Sequence, residues 1–385
     1  MKNLYFLSQP HQPFFLLAFI NAIITMVIFM LSFKGVLSIE LSSKDYHAYS
    51  MIFMLFTPAF MAFLFTTFPR FSTTPPIKQS LYVNVFWLFL ASSFLMIIGI
   101  FTSNETVLVA MAINILAHTK SLKILVDIYK SSPVEAKSDQ FWILVAISFG
   151  LISHILFISG LSINILNTFA IDMAIYLYLF LVTFTVAQRM VPFFSNIFIN
   201  KNPIFFKAMV GLLVAKIILE AIKPNSSFFI DFLLFALIGL ELFKWKLPFP
   251  NPNPFIWILH IGLYWIPVAF LFGGVSNLLT LMNDTYFLYL DIHTLALGFF
   301  FTMLIGFGTR VTIGHSGNQM IADNFTIALF YWTQVVIFMR IFTSLIYANG
   351  LNFLVAFDIS ITVWLLMFVA WGVRFFAVLV IGKRL

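Results

Sequence analysis

Seven histidines are the residues of this sequence best suited to chemistry, because the chain contains no cysteine. The lack of cysteine excludes disulfides, thiolate metal sites, iron–sulfur clusters and thiol nucleophiles. Any metal must therefore rest on His, Met, Tyr or carboxylate side chains. Neutral imidazole suits haem iron, copper and zinc, and two histidines from different helices can hold a metal or a haem between them. The seven are His11, His47, His118, His154, His260, His293 and His315.

The elements that must position these histidines are membrane-spanning helices. Apolar residues make up 62% of the chain and charged residues only 9%, whereas soluble domains carry about 25% charged residues. A run of roughly 20 apolar residues spans a bilayer. The sequence predicts an all-α, polytopic membrane bundle of about twelve helices, forming one domain over residues 1–385 with a candidate subdomain boundary in the proline-rich segment 247–254. The predicted spans lie near residues 14–37, 48–68, 80–101, 104–126, 140–160, 163–187, 204–222, 226–243, 255–275, 286–307, 325–347 and 352–381.

The positive charges predict the orientation of these spans. With twelve spans and a cytoplasmic N-terminus, 16 of the 21 lysines and arginines, Lys2 among them, fall on the inner side, as the positive-inside rule requires. The net charge of +7 therefore reflects topology, and no nucleic-acid partner is expected. We predict a multi-pass inner-membrane protein with both termini in the cytoplasm. The exceptions, on the outer side or within spans, are Lys34, Lys44, Lys216, Lys223 and Arg340.

The predicted topology also sorts the histidines by depth. His47 opens one outer-starting span, and His293 lies about 10 Å into another by helical rise. The two can share one level of the membrane and are the predicted axial pair of a haem, which would be bound without covalent attachment because no CxxCH motif exists. His154 is also expected toward the outer leaflet, and His11, His118, His260 and His315 toward the inner leaflet.

His260 and His315 are the predicted core of a second, inner site. His315 follows His293 by about 33 Å on a continuous helix, so one ion cannot bind both unless the chain turns back. Glycines between Gly306 and Gly317 would permit such a break. Two separate sites are the simpler expectation.

Six segments around these histidines closely resemble the NnrS family, in the same order along nearly the whole chain. The most specific are DIHTLALG at residues 291–298 and GTRVTIGHSG at residues 308–317. The others are HQPFF at 11–15, YHAY at 46–49, QRMVPFF at 188–194 and ILHIGLYWIP at 258–267.

This resemblance implies a bacterial inner-membrane protein that carries non-covalent haem b and copper and belongs to the response to nitric oxide and to denitrification. Among its candidate metal ligands are His47, His293, His315, His260 and His11. Tyr49 stands where the family usually has a second histidine, and Gln188 where it usually has glycine. If that second histidine ligates copper in relatives, this chain binds haem only or uses the Tyr49 phenol instead.

Three arginines complete the candidate site. Arg189 and Arg310 lie at the inner ends of predicted spans, where they act either as topological anchors or as bidentate partners of haem propionates. Arg340 lies inside a span, where a lone cation is costly. We expect it to pair with an acid, either Asp291, Asp358 or Asp172.

Two classes of function fit these residues. The first is a haem-dependent protein that binds or removes nitric oxide in contact with membrane lipid, with an electron donor in the membrane or periplasm. The second is a transporter or metal-handling protein in which the same histidines line a pathway. The sequence has no G-x-S-x-G elbow, phosphate-binding P-loop or HExxH motif, so it carries none of these signatures of a soluble enzyme.

Overall fold

The computed structural model describes residues 4–385, so Lys2, one of the predicted inner charges, lies outside the described residues. Over this range the chain forms long helices and no strand, and a helix occupies each of the twelve predicted positions. We number them α1 (His11–Phe33), α2 (Ser43–Phe71), α3 (Gln79–Thr102), α4 (Asn104–Ser131), α5 (Ser138–Gly160), α6 (Asn164–Phe194), α7 (Pro203–Ile222), α8 (Phe228–Trp245), α9 (Pro254–Asn283), α10 (Leu290–His315), α11 (Asn324–Ala348) and α12 (Leu354–Ile381). The all-α membrane fold is confirmed.

Ten of the helices are long and apolar enough to cross a membrane, and α7 and α8 are the two outside that set. Each carries charged side chains within its apolar sequence. Lys216 of α7 and Asp231 of α8 form an ion pair at 2.8 Å, with side chains 2% and 0% exposed. Pairing offsets the cost of burying the two charges. That both helices cross the bilayer stays a prediction. Their charged residues are Lys207, Lys216, Glu220, Asp231, Glu241 and Lys244.

Short polar side chains begin several of these helices. The side chains of Ser42, Ser103, Asn202, Asn253 and Asp323 each accept a hydrogen bond from a backbone N–H in the following first turn. Such caps satisfy amide groups that have no partner within the helix. The local sequence therefore fixes where α2, α4, α7, α9 and α11 start.

The chain divides into two compact units. Unit 1 comprises Met1–Ala174, Gly308–Met320 and Phe368–Leu385, and unit 2 comprises Ile175–Phe307 and Ile321–Met367. The divisions fall inside α6, α10 and α12, so each of these helices contributes to both units. The proline-rich segment 247–254 lies within unit 2, and the single-domain organisation stays a prediction.

Three helices contain a segment of wider π-helical turns, which the sequence analysis did not foresee. These segments are Ser50–Phe56 in α2, Met173–Leu179 in α6 and Ala296–Phe301 in α10. In α2 and α10 a threonine follows the segment, and its hydroxyl donates to the carbonyl five residues back: Thr57 to Ile52 at 2.9 Å and Thr302 to Leu297 at 3.0 Å. Because π-helical turns occur frequently at functional sites, α2, α6 and α10 are candidate locations for functional residues.

Candidate functional site

His11 and His315 meet in unit 1, although 303 residues separate them along the chain. His11 begins α1 and His315 ends α10, and their ring centroids are 5.0 Å apart with the planes inclined by 51°. His11 is 2% exposed, and its buried Nδ1 has no hydrogen-bond partner. The structure therefore joins two of the predicted metal ligands in one pair, in which His11 is buried and His315 half-buried.

A glutamine orients the second ring of this pair. The Oε1 of Gln9 lies 2.8 Å from the Nδ1 of His315. This amide oxygen can only accept, so the Nδ1–H of His315 donates the hydrogen bond and the Nε2 of His315 carries the lone pair. The backbone N–H of Gln9 in turn donates to the Oε1 of Gln12 at 2.8 Å. Metal-binding histidines commonly have their other ring N–H held in this way. Arg70, at the end of α2, is the cation whose charge reaches both rings, and the sequence analysis did not single it out.

The helix that carries His293 and His315 is continuous, so the break that the glycines between Gly306 and Gly317 would permit does not occur within it. α10 runs from Leu290 to His315, and the first glycine with a positive φ is Gly317, at +74°, just beyond its end. The glycines within α10 instead give room to neighbouring side chains: a Cβ on Gly298 would lie 2.7 Å from Trp265. His293 and His315 therefore belong to separate sites, as helical rise predicted.

His293 lies in unit 2 among hydrogen-bonding groups. Its Nδ1 is 2.9 Å from the carbonyl oxygen of Tyr289 and 3.1 Å from Nη2 of Arg340. The nitrogen cannot donate to the carbonyl and accept from the guanidinium together. When it donates to Tyr289, the Nε2 carries the lone pair, which is the arrangement common in metal-ligating histidines.

The predicted acid partner of Arg340 is wrong for the described residues. The guanidinium donates instead to the Leu288 carbonyl and the Ser344 hydroxyl, besides its contact with His293. Neutral acceptors thus satisfy its donors, and the arginine ties α11 to the start of α10. Asp291 interacts elsewhere: it accepts from the Tyr176 hydroxyl at 3.2 Å and lies 4.0 Å from the Lys216 ammonium.

His260 is fully buried in unit 2. Its Nε2 lies 2.7 Å from the Ser195 hydroxyl, whereas its Nδ1 is buried and has no hydrogen-bond partner. The contact with Ser195 ties the ring to the end of α6. In unit 1, the imidazole beside His315 is that of His11. The predicted site that joins His260 to His315 stays a prediction.

His47 lies in unit 1, in the second turn of α2. It is half-buried, and its ring stacks on Phe29 with centroids 4.1 Å apart. Because His293 belongs to unit 2, the axial pair of His47 and His293 stays a prediction. Arg189 lies near the end of α6 in unit 2 and Arg310 in the last turns of α10 in unit 1. Both are half-buried, and their contact with haem propionates also stays a prediction.

A second pair of histidines, which the sequence analysis did not select, lies in the core of unit 1. His118 and His154 are both 0% exposed, with ring centroids 6.3 Å apart. The hydroxyl of Tyr49 lies 3.0 Å from the Nε2 of His154. The prediction that these two histidines face opposite leaflets is wrong, because α4 extends to Ser131 and so places His118 near its middle.

Imidazole pairs are the largest candidate donor sets of the described chain. Across residues 4–385, no three His, Asp or Glu side chains converge in a group that could hold a metal ion. The family model described as NnrS protein matches residues 5–382. The chain belongs to the NnrS family. A search of curated proteins finds no match. In this NnrS-family chain, the first and last of the six recognised segments meet at the pair of His11 and His315.

Proposed function

We propose that this protein is a haem-binding protein of the bacterial inner membrane that binds or removes nitric oxide, with a second metal position in unit 1. Membership of the NnrS family supports the link to the nitric oxide response, and the ten apolar helices support the membrane. An electron donor in the membrane or periplasm would supply the reducing equivalents for removal. Both termini are proposed to lie in the cytoplasm.

The pair of His11 and His315 is the observation that carries a metal-binding function. With a nitrogen–metal distance of about 2.0–2.1 Å, two imidazoles on one ion at a tetrahedral angle have centroids roughly 5 Å apart, and the observed separation is 5.0 Å. The Nδ1 of His11, buried without a hydrogen bond, would gain a partner in such an ion. The donor set suits copper, zinc or iron.

The haem is proposed at the predicted pair, His47 and His293. Bound haem would supply a redox-active iron. His293 would hold it through Nε2, because Nδ1 can donate to the Tyr289 carbonyl. Phe29 would fix the ring plane of His47 by stacking, and the guanidinium groups of Arg189 and Arg310 would bind propionates.

The absorption spectrum of the purified protein tests this proposal. Protein from haem-replete cells should be red, with the bands of low-spin haem b. Replacing His47 or His293 by Ala should abolish that spectrum, whereas His315→Ala should leave it intact and remove metal only from the pair with His11. A colourless, iron-free preparation would contradict the haem proposal and leave the transporter or metal-handling function. Loss of haem in His315→Ala but not in His47→Ala would instead move the haem to the inner site.

A further inference from the structure

A cluster of charged side chains lies in unit 2, outside every site proposed above. The ammonium of Lys216 on α7 contacts both carboxylate oxygens of Asp231 on α8, at 2.8 and 2.9 Å, and both side chains are buried. A second carboxylate, that of Asp291 on α10, lies 4.0 Å from the same ammonium and is 17% exposed. One buried ammonium therefore serves two carboxylates. Charges buried among apolar helices are expensive, and in membrane proteins they mark proton relays and ion pathways.

Neutral donors complete the surroundings of Asp231. Its Oδ2 lies 3.0 Å from the side-chain amide of Asn277 on α9 and 3.3 Å from the Ser227 hydroxyl. Helix α9 contains no Lys, Arg, Asp or Glu, so it brings a hydrogen bond but no charged group to the carboxylate. The charges that act on Asp231 are those of Lys216 and Asp291. A proton added to this carboxylate would therefore change the pairing of Lys216.

The hydroxyl of Ser227 connects this carboxylate to the turn between α7 and α8. It lies 2.5 Å from Oε1 of Glu220 and 3.3 Å from Oδ2 of Asp231, and it accepts from the Lys216 ammonium at 3.2 Å. A hydroxyl has one proton, so it donates to one carboxylate at a time. Glu220 is half-buried in the last turn of α7 and accepts from the backbone N–H of Asn225 at 2.7 Å. Two carboxyl groups, one half-buried and one fully buried, thus share one hydroxyl.

We propose that Asp231 exchanges protons with the surface at the turn between α7 and α8, through Glu220 and Ser227. A proton taken up by Glu220 passes to the Ser227 oxygen, while the hydroxyl proton of Ser227 passes to Oδ2 of Asp231. One O–H bond breaks and one forms in each transfer, so the net change is one proton gained by Asp231. Under the predicted twelve-span topology this turn lies on the outer side, and the protons come from there.

The second carboxylate gives this exchange a structural consequence. Protonation of Asp231 removes the negative charge that holds Lys216, and an unpaired buried ammonium is strongly destabilising. Asp291, which accepts from the Tyr176 hydroxyl at 3.2 Å, offers another carboxylate only 4.0 Å away. The flexible four-carbon stem of lysine allows the ammonium to cover that distance. Lys216 then ties α7 to the start of α10 instead of to α8. The exchange does not depend on the proposed haem.

Infrared difference spectra of the full-length protein in lipid nanodiscs test the exchange as the pH is lowered. The wild-type protein should gain the C=O band of a buried protonated carboxyl group, and aspartate labelled with 13C at its carboxyl group should shift that band. The double variant Lys216→Met with Asp231→Asn, which replaces the ion pair as a whole, should lack it. Glu241→Gln is the matched control, because it removes the other buried carboxylate of α8 and should keep the band.

The rate at which this band appears after a rapid drop in pH tests the path. Ser227→Ala should slow it roughly 100-fold, because a positioned proton-transfer group contributes about 10²–10⁴-fold. Ser226→Ala, which removes a neighbouring hydroxyl that donates to the Leu219 carbonyl, should keep the wild-type rate. Equal rates in the two serine variants would overturn the path through Ser227.

The midpoint of the band tests the movement of Lys216. Asp291→Asn should move the midpoint to lower pH, because Asp231 loses a negative neighbour and Lys216 loses its second carboxylate. An unchanged midpoint would contradict the movement of the ammonium. A wild-type protein that gains no such band while it stays folded, or a band that survives in the double variant, would overturn the exchange at Asp231.

Discussion

The two units hold their histidines in different ways. In unit 1 four of the five histidines face another imidazole, and each of the two pairs includes a buried nitrogen without a hydrogen bond. In unit 2 each histidine is held singly by carbonyl, hydroxyl or guanidinium groups. The pairs are His11 with His315 and His118 with His154, and the single histidines are His47 in unit 1 and His260 and His293 in unit 2.

This difference separates two uses of a buried imidazole. A single ring such as His260, which bonds to the Ser195 hydroxyl, stabilises a contact between helices. A pair that includes a nitrogen without a hydrogen bond would be stabilised by an ion that coordinates this nitrogen. The charged side chains follow a complementary pattern, because unit 2 contains the buried ion pair of Lys216 and Asp231. We therefore propose the second metal position in unit 1.

Cysteine labelling gives an all-or-none test of whether both units cross the membrane as predicted. The protein has no native cysteine, so a single introduced thiol reports its own side of the membrane. Under the twelve-span topology, Val36→Cys in unit 1 and Lys223→Cys in unit 2 should react with an impermeant maleimide in intact cells. The inner-side controls Glu135→Cys and Pro252→Cys should react only after permeabilisation. Protection of Lys223→Cys in intact cells would show that α7 and α8 do not both cross.

Breaking the charge pair of unit 2 should have the largest effect on stability. Lys216→Met leaves Asp231 buried and unpaired, and removal of one partner of a buried ion pair costs about 3–5 kcal/mol. The unfolding free energy, measured by circular dichroism in mixed micelles, should fall by that amount. Lys207→Met, at an exposed position of the same helix, should change it little. If the double variant Lys216→Met with Asp231→Asn does not recover most of the loss, charge pairing is not the cause.

Removal of the guanidinium beside His293 should have a smaller effect. Arg340→Met deprives the Leu288 carbonyl and the Ser344 hydroxyl of a charged donor, and hydrogen bonds to charged groups contribute about 1.5–3 kcal/mol each. We expect the unfolding free energy to fall by about 3 kcal/mol, the lower end of this range for two bonds. Arg340→Lys should recover part of the loss, since an ammonium reaches fewer of these acceptors. An unchanged stability would mean that solvent or lipid satisfies these groups equally well.

The helices were predictable from the sequence because apolar runs of membrane-spanning length are a local signal. All twelve predicted positions carry a helix, and the capping residues mark several starts. The partners of polar side chains were not predictable in the same way. Arg340 was expected to find a carboxylate because charge alone was considered, but carbonyl and hydroxyl oxygens close by satisfy it.

The candidate sites show the same limit. Spacing could show that His293 and His315 are too far apart to share an ion, because helical rise fixes that distance. It could not show that His315 meets His11, since the contact depends on how α1 and α10 pack. His118 and His154 were assigned to opposite leaflets because the end of α4 was placed before residue 131. The resemblance drew attention to Tyr49, but only the fold shows that its hydroxyl lies at His154.

The smallest predicted effect concerns a feature that the two units share. Thr57 in unit 1 and Thr302 in unit 2 each follow a π-helical segment and donate to the carbonyl five residues back. Both are 0% exposed. Thr→Val keeps the shape of the side chain but removes the donor, and a neutral hydrogen bond contributes about 0.5–1.5 kcal/mol. We therefore expect each substitution to lower the unfolding free energy by about 1 kcal/mol, in mixed micelles as above.

Thr119→Val is the matched control, because this exposed threonine donates to the carbonyl four residues back in ordinary α-helix. The hydrogen bond at Thr119 is exposed rather than buried, so we expect a smaller loss there than at Thr57 or Thr302. Equal losses at Thr57 and Thr302 would show that the hydroxyl stabilises the π-helical turn in both units, whatever the histidines nearby do. A loss at Thr57 alone would instead tie the segment in α2 to the cluster of Tyr49, His118 and His154, since that cluster is packed against it.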